Sequence, residues 1–267
     1  MPPPAVETPD ILVRIVDRIR AEEGRRFESF SPLSFPLVER TPPRDIAAAL
    51  AASFTVIAEI KKGSPSRGII RADFDPVRLA RDYETGGAGA ISVVTEKNYF
   101  FGAKEHLRRV RDAVALPVLR KDFIIHPFQV FESFNLGADF ILLIAAILSG
   151  DELGLLVRFC RSLGMEALVE VHDDADLERA LGADPRPRII GVNNRNLRDF
   201  SVDWTRSLKL RGSIPAGIHV ISESGIGSAE QLRALNAAGF AGALVGEHLL
   251  KQERPGHALK EMIHGPA

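Results

Sequence analysis

Eight short apolar runs recur along the chain, and this period constrains the fold more than any other feature of the sequence. The runs are Thr55–Ile60, Ala90–Thr95, Pro117–Leu119, Phe140–Ile144, Ala167–Val171, Ile189–Val192, His219–Ser222 and Ala243–Val245. Their nearly continuous hydrophobicity is typical of parallel strands that are covered on both faces.

Helix signals fill the gaps between the runs. Asp75 and Pro76 form an N-cap followed by a first-turn proline. Ser149 with Glu152 fits a capping box, and Ser228 with Gln231 fits the same motif. Strands that alternate with helices predict a parallel α/β fold.

Eight evenly spaced units without a break in composition favour a closed (β/α)₈ TIM barrel over the competing open, doubly wound sheet. We expect residues 1–267 to form a single domain, with the barrel at 53–267 and a helical extension at 1–52 packed on it. In that extension Ile11, Leu12 and Ile15 recur at helical spacing, which predicts a helix across one barrel mouth.

Bulk properties exclude several classes of protein. The formal net charge of −1 argues against nucleic acid as a partner. The first residues carry neither a basic nor an apolar leader region, and the longest apolar run, Phe140–Leu148, is shorter than the ~20 residues of a membrane span. We therefore expect a cytoplasmic protein without membrane contact, in which the single cysteine, Cys160, is a buried thiol on a helix.

Charged residues close several of the apolar runs. Active sites of such barrels gather at the C-terminal strand ends, where this sequence places two lysines and three glutamates, namely Glu59, Lys61, Lys121, Glu170 and Glu223. Any one of them alone is more simply a solvated charge at a strand end. Five at equivalent positions predict a site in which crowding shifts pKa values in opposing directions, so that it holds both a proton donor and a proton acceptor.

Glycine-rich loops after the seventh and eighth runs predict a phosphate site. Gly225–Ser228 and Gly246–Glu247 let backbone N–H groups approach an anion, and Ser228 also opens a helix. The loop Lys62–Gly68 adds hydroxyl groups and cations, although such a stretch by itself is more often a plain flexible loop.

Motifs for nucleotide binding and for metal binding are absent from the sequence. The sequence has no P-loop and no Gly-x-Gly-x-x-Gly after a strand, so we expect no nucleotide cofactor. The histidines lack metal-ligand spacing, so no metal is expected, and His172, two residues after Glu170, is interpreted as a loop histidine.

Six segments together resemble the indole-3-glycerol phosphate synthase family, and the likeness runs from the N-terminal helix to about residue 250. The segments are Ala58–Gly68, Thr95–Gly102, Leu116–Phe123, Leu168–His172, Gly191–Leu197 and Ile221–Ile226. The resemblance implies a carboxy-lyase of tryptophan biosynthesis that needs no cofactor. Its substrate would be 1-(2-carboxyphenylamino)-1-deoxyribulose 5-phosphate, which loses carbon dioxide and water to give indole-3-glycerol phosphate.

The resemblance also assigns roles by position. Lys121 resembles the general acid, Glu170 the carboxylate that stabilises a cation or takes a proton, and Lys61 with Glu59 the pair that completes dehydration. Asn193 and Glu223 resemble partners that shape the site. The implied substrate and phosphate contacts are Ser64, Ser66, Phe100, Phe123, Arg195, Leu197, Ser224, Gly225, Leu244, Gly246 and Glu247. Arg195 or Lys61 is a candidate for holding the substrate carboxylate.

The sequence departs from the family pattern at two places. His126–Gln129 reads His-Pro-Phe-Gln where many relatives carry Asp-Pro-Tyr-Gln, and Glu247 stands where others often have serine. A carboxylate beside a phosphate is unfavourable unless only its backbone N–H is used.

Two rival functions and the oligomeric state stay open at this point. One rival is phosphoribosylanthranilate isomerase, a similar barrel that uses a cysteine base where this chain has Glu59-Ile60-Lys61. The other is a phosphosugar-binding barrel without catalysis. We expect a monomer or a weak homodimer.

Overall fold

A computed structural model describes residues 10–32, 36–65, 67–196 and 200–265. Eight parallel strands form a closed barrel: β1 (Thr55–Ile60), β2 (Ala90–Val94), β3 (Val118–Lys121), β4 (Phe140–Ile144), β5 (Glu166–Val171), β6 (Ile189–Asn193), β7 (His219–Glu223) and β8 (Gly242–Val245). The first strand pairs with both β2 and β8, so the sheet has no edge. The predicted TIM barrel is therefore confirmed, and the open doubly wound sheet is excluded.

Strand bounds differ from the prediction at several polar residues. The third strand continues to Lys121, the sixth ends at Asn193 and the seventh ends at Glu223, whereas the sequence placed these residues after their strands. A polar residue can extend a strand inside a barrel because the neighbouring strands still satisfy its backbone hydrogen bonds.

Helices cover the outside of the barrel: α3 (Pro76–Thr85), α4 (Lys104–Ala113), α5 (Pro127–Asn135), α6 (Gly150–Ser162), α7 (Asp174–Gly182), α8 (Thr205–Arg211), α9 (Ala229–Ala237), α10 (Glu247–Leu250) and α11 (Pro255–His264). A 3₁₀ turn spans Ala145–Ile147, and a short antiparallel hairpin joins Gly63–Ser64 to Gly68–Ile69. Within the described residues, no helix is both long enough and apolar enough to cross a bilayer.

The structure confirms the helix N-caps that the sequence predicted. Asp75 accepts hydrogen bonds from the backbone N–H groups of Val77 and Arg78, and Ser149 and Glu152 form a reciprocal capping box. These caps satisfy N–H groups that have no partner inside their helix.

Strand alternation divides the core in two. Residues such as Ile57, Leu168 and Ile221 point into the barrel, and their strand neighbours pack outward against the helices. Cys160 lies in the outer layer, where burial raises the pKa of its thiol, as expected of a structural cysteine. Glu59, two residues after Ile57 on β1, shares the inward face.

The N-terminal extension supplies a helix at each end of the barrel. Helix α1 (Asp10–Ser29) brings Ile11 and Leu12 to a cavity at the C-terminal strand ends. Helix α2 (Ile46–Ala52) packs Ile46 and Leu50 against the inner core at the opposite end. The sequence predicted the first helix but not the second, whose seven residues are too short to show a helical period.

A buried carboxylate joins the extension to the barrel. Asp139 lies 3.2 Å from Arg40 Nη2 and 3.0 Å from Arg111 Nε, and it accepts the backbone N–H of Arg44 at 2.9 Å and that of Val118 at 2.8 Å. These contacts compensate the burial of its charge.

Candidate active site

A cavity of about 640 Å³ opens at the C-terminal ends of the strands. Every predicted site residue within the described part of the chain lines it: Glu59, Lys61, Ser64, Phe100, Lys121, Phe123, Glu170, Asn193, Arg195, Glu223, Ser224, Gly225, Leu244, Gly246 and Glu247. The predicted contacts Ser66 and Leu197 lie outside the described residues. The convergence of charges that the sequence predicted is thus present in the fold.

Lys121 occupies the centre of the charged floor. Its Nζ lies 3.1 Å from Glu170 Oε2 and 3.4 Å from Glu223 Oε2. Burial by itself would lower the pKa of Lys121, but Glu170, Glu223 and Glu59 outweigh it and raise that pKa above its ordinary value. Three carboxylates that face the amine therefore favour the charged form of Lys121.

Glu170 and Glu223 differ in protonation. Burial favours the neutral form of Glu170, but Lys121 and His172 outweigh it and hold the pKa of Glu170 well below its usual range. For Glu223, burial together with the nearby carboxylates outweighs Lys121 and raises the pKa to about 8. The two pKa values are therefore shifted in opposite directions, as the sequence predicted for a crowded set of lysines and glutamates.

Two glycines make room for the buried carboxylates. A Cβ atom on Gly246 would lie 2.4 Å from Glu59 Oε1, and one on Gly191 would lie 2.0 Å from Glu223 Oε1. Lys61 donates a hydrogen bond to Glu59, and Lys61 and Lys121 lower the pKa of Glu59 although burial acts in the other direction. Gly246, which the sequence assigned to a phosphate loop, therefore also packs on the first-strand acid.

The loop after β7 has the backbone shape suited to an anion. Ser224 and Gly225 both have positive φ angles, of 68° and 78°, and Ser228 caps α9 by accepting the N–H of Gln231. Asn194 fixes this loop because its Nδ2 donates to Ser224 O at 3.0 Å. Successive backbone N–H groups ahead of a helix N-terminus form a common anion-binding arrangement.

Glu247 gathers three cations at the same end of the cavity. Its carboxylate lies 2.7 Å from Lys251 Nζ, 3.3 Å from Arg67 Nε and 3.4 Å from Arg195 Nη2. The side chain is therefore engaged in ion pairs, and a bound phosphate would meet these cations as well as the carboxylate. From the sequence, only the backbone N–H of this residue was expected to contact the phosphate.

The opposite wall of the cavity is apolar. The rings of Phe100 and Phe123 lie 6.2 Å apart, and Ile11, Leu12 and Ile15 of α1 complete this wall. The sequence analysis placed α1 at a mouth but did not assign these three residues to the site, although their helical stripe contained the signal.

Helix α1 and the loop of Phe100 are tied together through Glu96. This buried carboxylate accepts from Arg18 Nη2 at 2.6 Å and from the backbone N–H groups of Tyr99 at 2.7 Å and Phe100 at 3.1 Å. A buried charge-assisted contact of this kind fixes the position of the aromatic wall.

The departure at His126 preserves local structure. His126 Nδ1 accepts the N–H of Phe128 at 3.1 Å and so caps α5, and its ring stacks on Phe27 with centroids 4.4 Å apart. Gln129 then holds the Phe123 segment, since its Nε2 donates to Phe123 O at 2.9 Å. His126 therefore serves as the N-cap of α5 in this chain.

His172 lies in the loop directly after β5, as the sequence predicted, and it contacts Glu170 of the site. Its Nε2 lies 3.4 Å from Glu170 Oε1, behind the cavity wall. The signal in the sequence was the two-residue spacing from Glu170, because residues two apart at the end of a strand point to the same side.

The chain is similar to known proteins over most of its length. The sequence profile of the indole-3-glycerol phosphate synthase family matches residues 16–262. An indole-3-glycerol phosphate synthase of Sulfurimonas denitrificans is 44% identical over 267 residues, 96% of this chain and 99% of the relative. Another, of Desulfotalea psychrophila, is 45% identical over 95% of this chain and 98% of the relative.

Solved structures support the fold. A 3-hexulose-6-phosphate synthase superposes with a TM-score of 0.61 at 15% identity, over 80% of this chain and 100% of that protein. A thiamine phosphate pyrophosphorylase from Pyrococcus furiosus gives 0.58 at 18% identity, over 80% of this chain and 95% of that protein. From the matched profile and the full-length relatives, together with the site, the chain belongs to the indole-3-glycerol phosphate synthase family of carboxy-lyases.

Proposed function

We propose that this cavity closes the indole ring of 1-(2-carboxyphenylamino)-1-deoxyribulose 5-phosphate, in a step of tryptophan biosynthesis. The products are indole-3-glycerol phosphate, carbon dioxide and water. The observation that carries the proposal is the position of Lys121, which lies between Glu170 and Glu223 at the floor of a cavity with an apolar wall on one side and cations on the other.

The two unlike walls orient the substrate. The phosphate group fits the end with the Ser224–Gly225 turn, Ser64 and Arg67, and the aromatic ring fits against the apolar wall that contains Phe100 and Phe123. This orientation places the ketone of the sugar chain over the charged floor, within reach of Lys121.

Ring closure needs a proton at the ketone oxygen while the ring carbon attacks the carbonyl carbon. Lys121 is the donor in this proposal. Its raised pKa does not prevent the transfer, because an alkoxide that develops on the substrate is far more basic than an amine. Glu170, ionised beside Lys121, stabilises the positive charge that develops on the aromatic amine.

Loss of carbon dioxide restores the aromatic ring. The apolar wall of Phe100, Phe123 and α1 favours this step because it solvates the carboxylate poorly and the neutral product well. Before this step Arg195 or Lys61 holds the carboxylate, and neutral substitution of both residues would then weaken substrate binding.

Dehydration completes the reaction. The hydroxyl group on the new ring leaves as water while the neighbouring ring atoms lose a proton. Glu59 and Lys61, a hydrogen-bonded pair on β1, are the proposed acid and base of this step. Asn193 and protonated Glu223 shape the floor around the reacting carbon.

The two rival functions account for fewer observations. An isomerase of the phosphoribosylanthranilate type needs a cysteine base at the end of the first strand, where this chain has Glu59 and Lys61. A barrel that only binds phosphosugars needs no buried lysine between two carboxylates of different protonation.

The cellular setting and the assembly state are further predictions. We infer a cytoplasmic enzyme, because a phosphorylated biosynthetic intermediate does not cross membranes freely. We expect one domain over residues 1–267, no nucleic-acid partner, and a monomer or weak homodimer, which sedimentation velocity over a range of concentrations would measure.

Turnover of the synthetic substrate, followed by indole fluorescence, tests the function. Wild type should turn over, and Lys121→Ala should lose about 10³-fold or more in kcat, since removal of a catalytic acid costs roughly 10²–10⁴-fold. Lys209→Ala is the control, because its amine is exposed and pairs with Asp203 outside the cavity. Absence of wild-type turnover would favour the binding barrel, and an undiminished Lys121→Ala would overturn the assignment of the acid.

A further inference from the structure

The imidazole ring of His172 lies between two carboxylates, and no step of the proposed reaction uses it. Its Nε2 is 3.4 Å from Glu170 Oε1, and its Nδ1 is 3.3 Å from Asp176 Oδ2. The side chain is only 11% exposed and lies behind Glu170. A buried ring that contacts a catalytic carboxylate from behind can act on the reaction only through that carboxylate.

Asp176 is itself rigidly held. One of its oxygens accepts the backbone N–H of His172 at 3.0 Å, and the other accepts from Arg179 Nη1 at 2.9 Å. Arg179 also donates to the carbonyl of Ala145 at 2.8 Å. The same Asp176 oxygen therefore contacts both the backbone and the ring of His172, which fixes the orientation of the ring.

The surroundings of His172 favour its charged form. Asp176 is an acceptor, so Nδ1 carries a hydrogen, and the carboxylate of Glu170 favours a second hydrogen on Nε2. Burial opposes the charge, but Asp176, Glu170 and Glu223 outweigh it and raise the pKa of His172. The charged groups that face His172 are Glu170 on β5, Asp176 and Arg179 on α7, Arg206 on α8 and Glu223 on β7.

Each oxygen of Glu170 therefore lies near a group that can carry positive charge. Oε2 meets Lys121 at 3.1 Å and Oε1 meets His172 at 3.4 Å, while Glu223 shares Lys121 at 3.4 Å. The polar groups that face Glu170 are His172 directly after its own strand, Lys121 on β3, Asn193 on β6, Glu223 on β7 and Glu59 on β1. Two carboxyl groups that share one lysine compete for one proton, and a second cation beside one of them decides where that proton resides.

We propose that His172, oriented by Asp176, is a positioning residue that fixes the Glu170 carboxylate and makes it the ionised member of the Glu170–Glu223 pair. The inference rests on the proposed function, in which Glu170 acts in its ionised form. His172 itself does not touch the substrate.

The dependence of kcat/KM on pH tests this role. Removal of the cation in His172→Gln makes Glu170 easier to protonate, so the acidic limb of the profile should move up by about one pH unit. At higher pH the variant should recover to within a few-fold of wild type, whereas a merely structural defect would lower the whole profile equally. His257→Gln, on exposed α11, is the matched control and should leave the profile unchanged.

Asp176→Asn supplies a second, independent variant. It should move the acidic limb of the pH profile in the same direction. The double variant should move that limb no further than His172→Gln does, because both changes remove the same interaction of His172 with Glu170. An acidic limb that stays at its wild-type position in both single variants overturns the proposal.

An NMR titration of the His172 ring separates this proposal from the proposed function. In wild type the ring should stay protonated above the ordinary histidine value of about 6.5, and in Asp176→Asn it should titrate at lower pH. If wild type shows no turnover, the proposed function fails, and this titration still decides whether Asp176 holds a charged His172 against Glu170. A wild-type ring that titrates at or below the ordinary value overturns the proposal.

Discussion

The two ends of the barrel interior share the same strands and differ in nearly every physical property. At the N-terminal strand ends, Ile46 and Leu50 of α2 pack on a cluster of apolar side chains that includes Phe140 and Ile189. At the C-terminal ends the same inward faces carry lysines and glutamates around an open cavity. Apolar burial stabilises the first end, while the second end buries charges that stabilise the fold little or not at all.

The comparison shows that stability and chemistry are separated along one axis of the molecule. Ile57 and Glu59 are two residues apart on β1, yet one lies in the apolar layer and the other in the site. The apolar layer holds the strand ends in place, so that the charged layer can keep an unfavourable but reactive arrangement.

Leu50→Ala should show the largest effect on stability. The side chain is 4% exposed and packs in the inner core, so its truncation should cost about 2–5 kcal/mol in the free energy of unfolding. The kcat of the folded fraction should stay unchanged, since the site lies at the other end. Urea denaturation and turnover measure both, with the exposed Leu208→Ala as control, expected within about 0.5 kcal/mol of wild type. A fall in kcat would show that the two ends are coupled.

Gly246→Ala should lower both the stability of the protein and its catalytic rate, because Gly246 lies at the C-terminal end of the barrel. The added Cβ would lie 2.4 Å from Glu59 Oε1, and the overpacking should cost about 1–3 kcal/mol in the free energy of unfolding. Displacement of Glu59 should also lower kcat by about tenfold or more. Gly212→Ala is the matched control, because a Cβ there meets nothing within 4 Å and its φ of −64° suits alanine. An active, stable Gly246→Ala would show that Glu59 can move without cost.

Glu223→Gln should change how stability depends on pH. The pKa of Glu223 rises from 4.5 to about 8 on folding, so between these pH values the native state binds a proton that the unfolded state has lost. This contribution favours the wild-type fold below about pH 4.5 and is lost as pH rises toward 8, by up to about 1.4 kcal/mol per pH unit.

The difference in unfolding free energy between wild type and Glu223→Gln should therefore fall as pH rises through that window. Thermal denaturation at several pH values measures it. The exposed Glu230→Gln, outside the cavity, should show a flat difference over the same range. A flat difference for Glu223→Gln as well would mean that Glu223 is ionised in the folded enzyme.

Glu247→Gln should have the smallest effect. Without the carboxylate, Arg67, Arg195 and Lys251 can turn to a phosphate, so KM should fall by about threefold to fivefold, in keeping with the ~0.2–1 kcal/mol of half-exposed ion pairs. The gain should shrink at high salt, since exposed charges are screened. Steady-state kinetics at two ionic strengths provide the measurement, and a KM that rises would show that Glu247 orders the cations for the substrate.

Local sequence patterns predicted much of the fold. The apolar runs gave the positions of eight strands, and Asp75, Ser149 and Ser228 marked helix starts that the structure confirms. These features depend on neighbours within a few residues along the chain, so they can be predicted from the sequence alone. Strand alternation likewise predicted that Glu59 and Glu170 face one cavity.

Other features could not be read in this way. The short helix α2 gave no periodic signal, and its place under the barrel depends on contacts with Phe140 and Ile189, far along the chain. The direction of the Lys121 pKa shift also required the structure, because it depends on whether carboxylates or cations lie nearest in space.

The sequence by itself determined the strand period, the barrel class, the family resemblance and the set of charged residues that meet at one mouth. The tertiary structure decided the pairings within that set: Lys121 with two carboxylates, Glu247 with three cations, and Glu170 with His172. The physical reason is that alternation along a strand fixes only the face to which a side chain points. Coulomb energies and desolvation depend on distances of a few ångströms between strands, and only the closed barrel sets those distances.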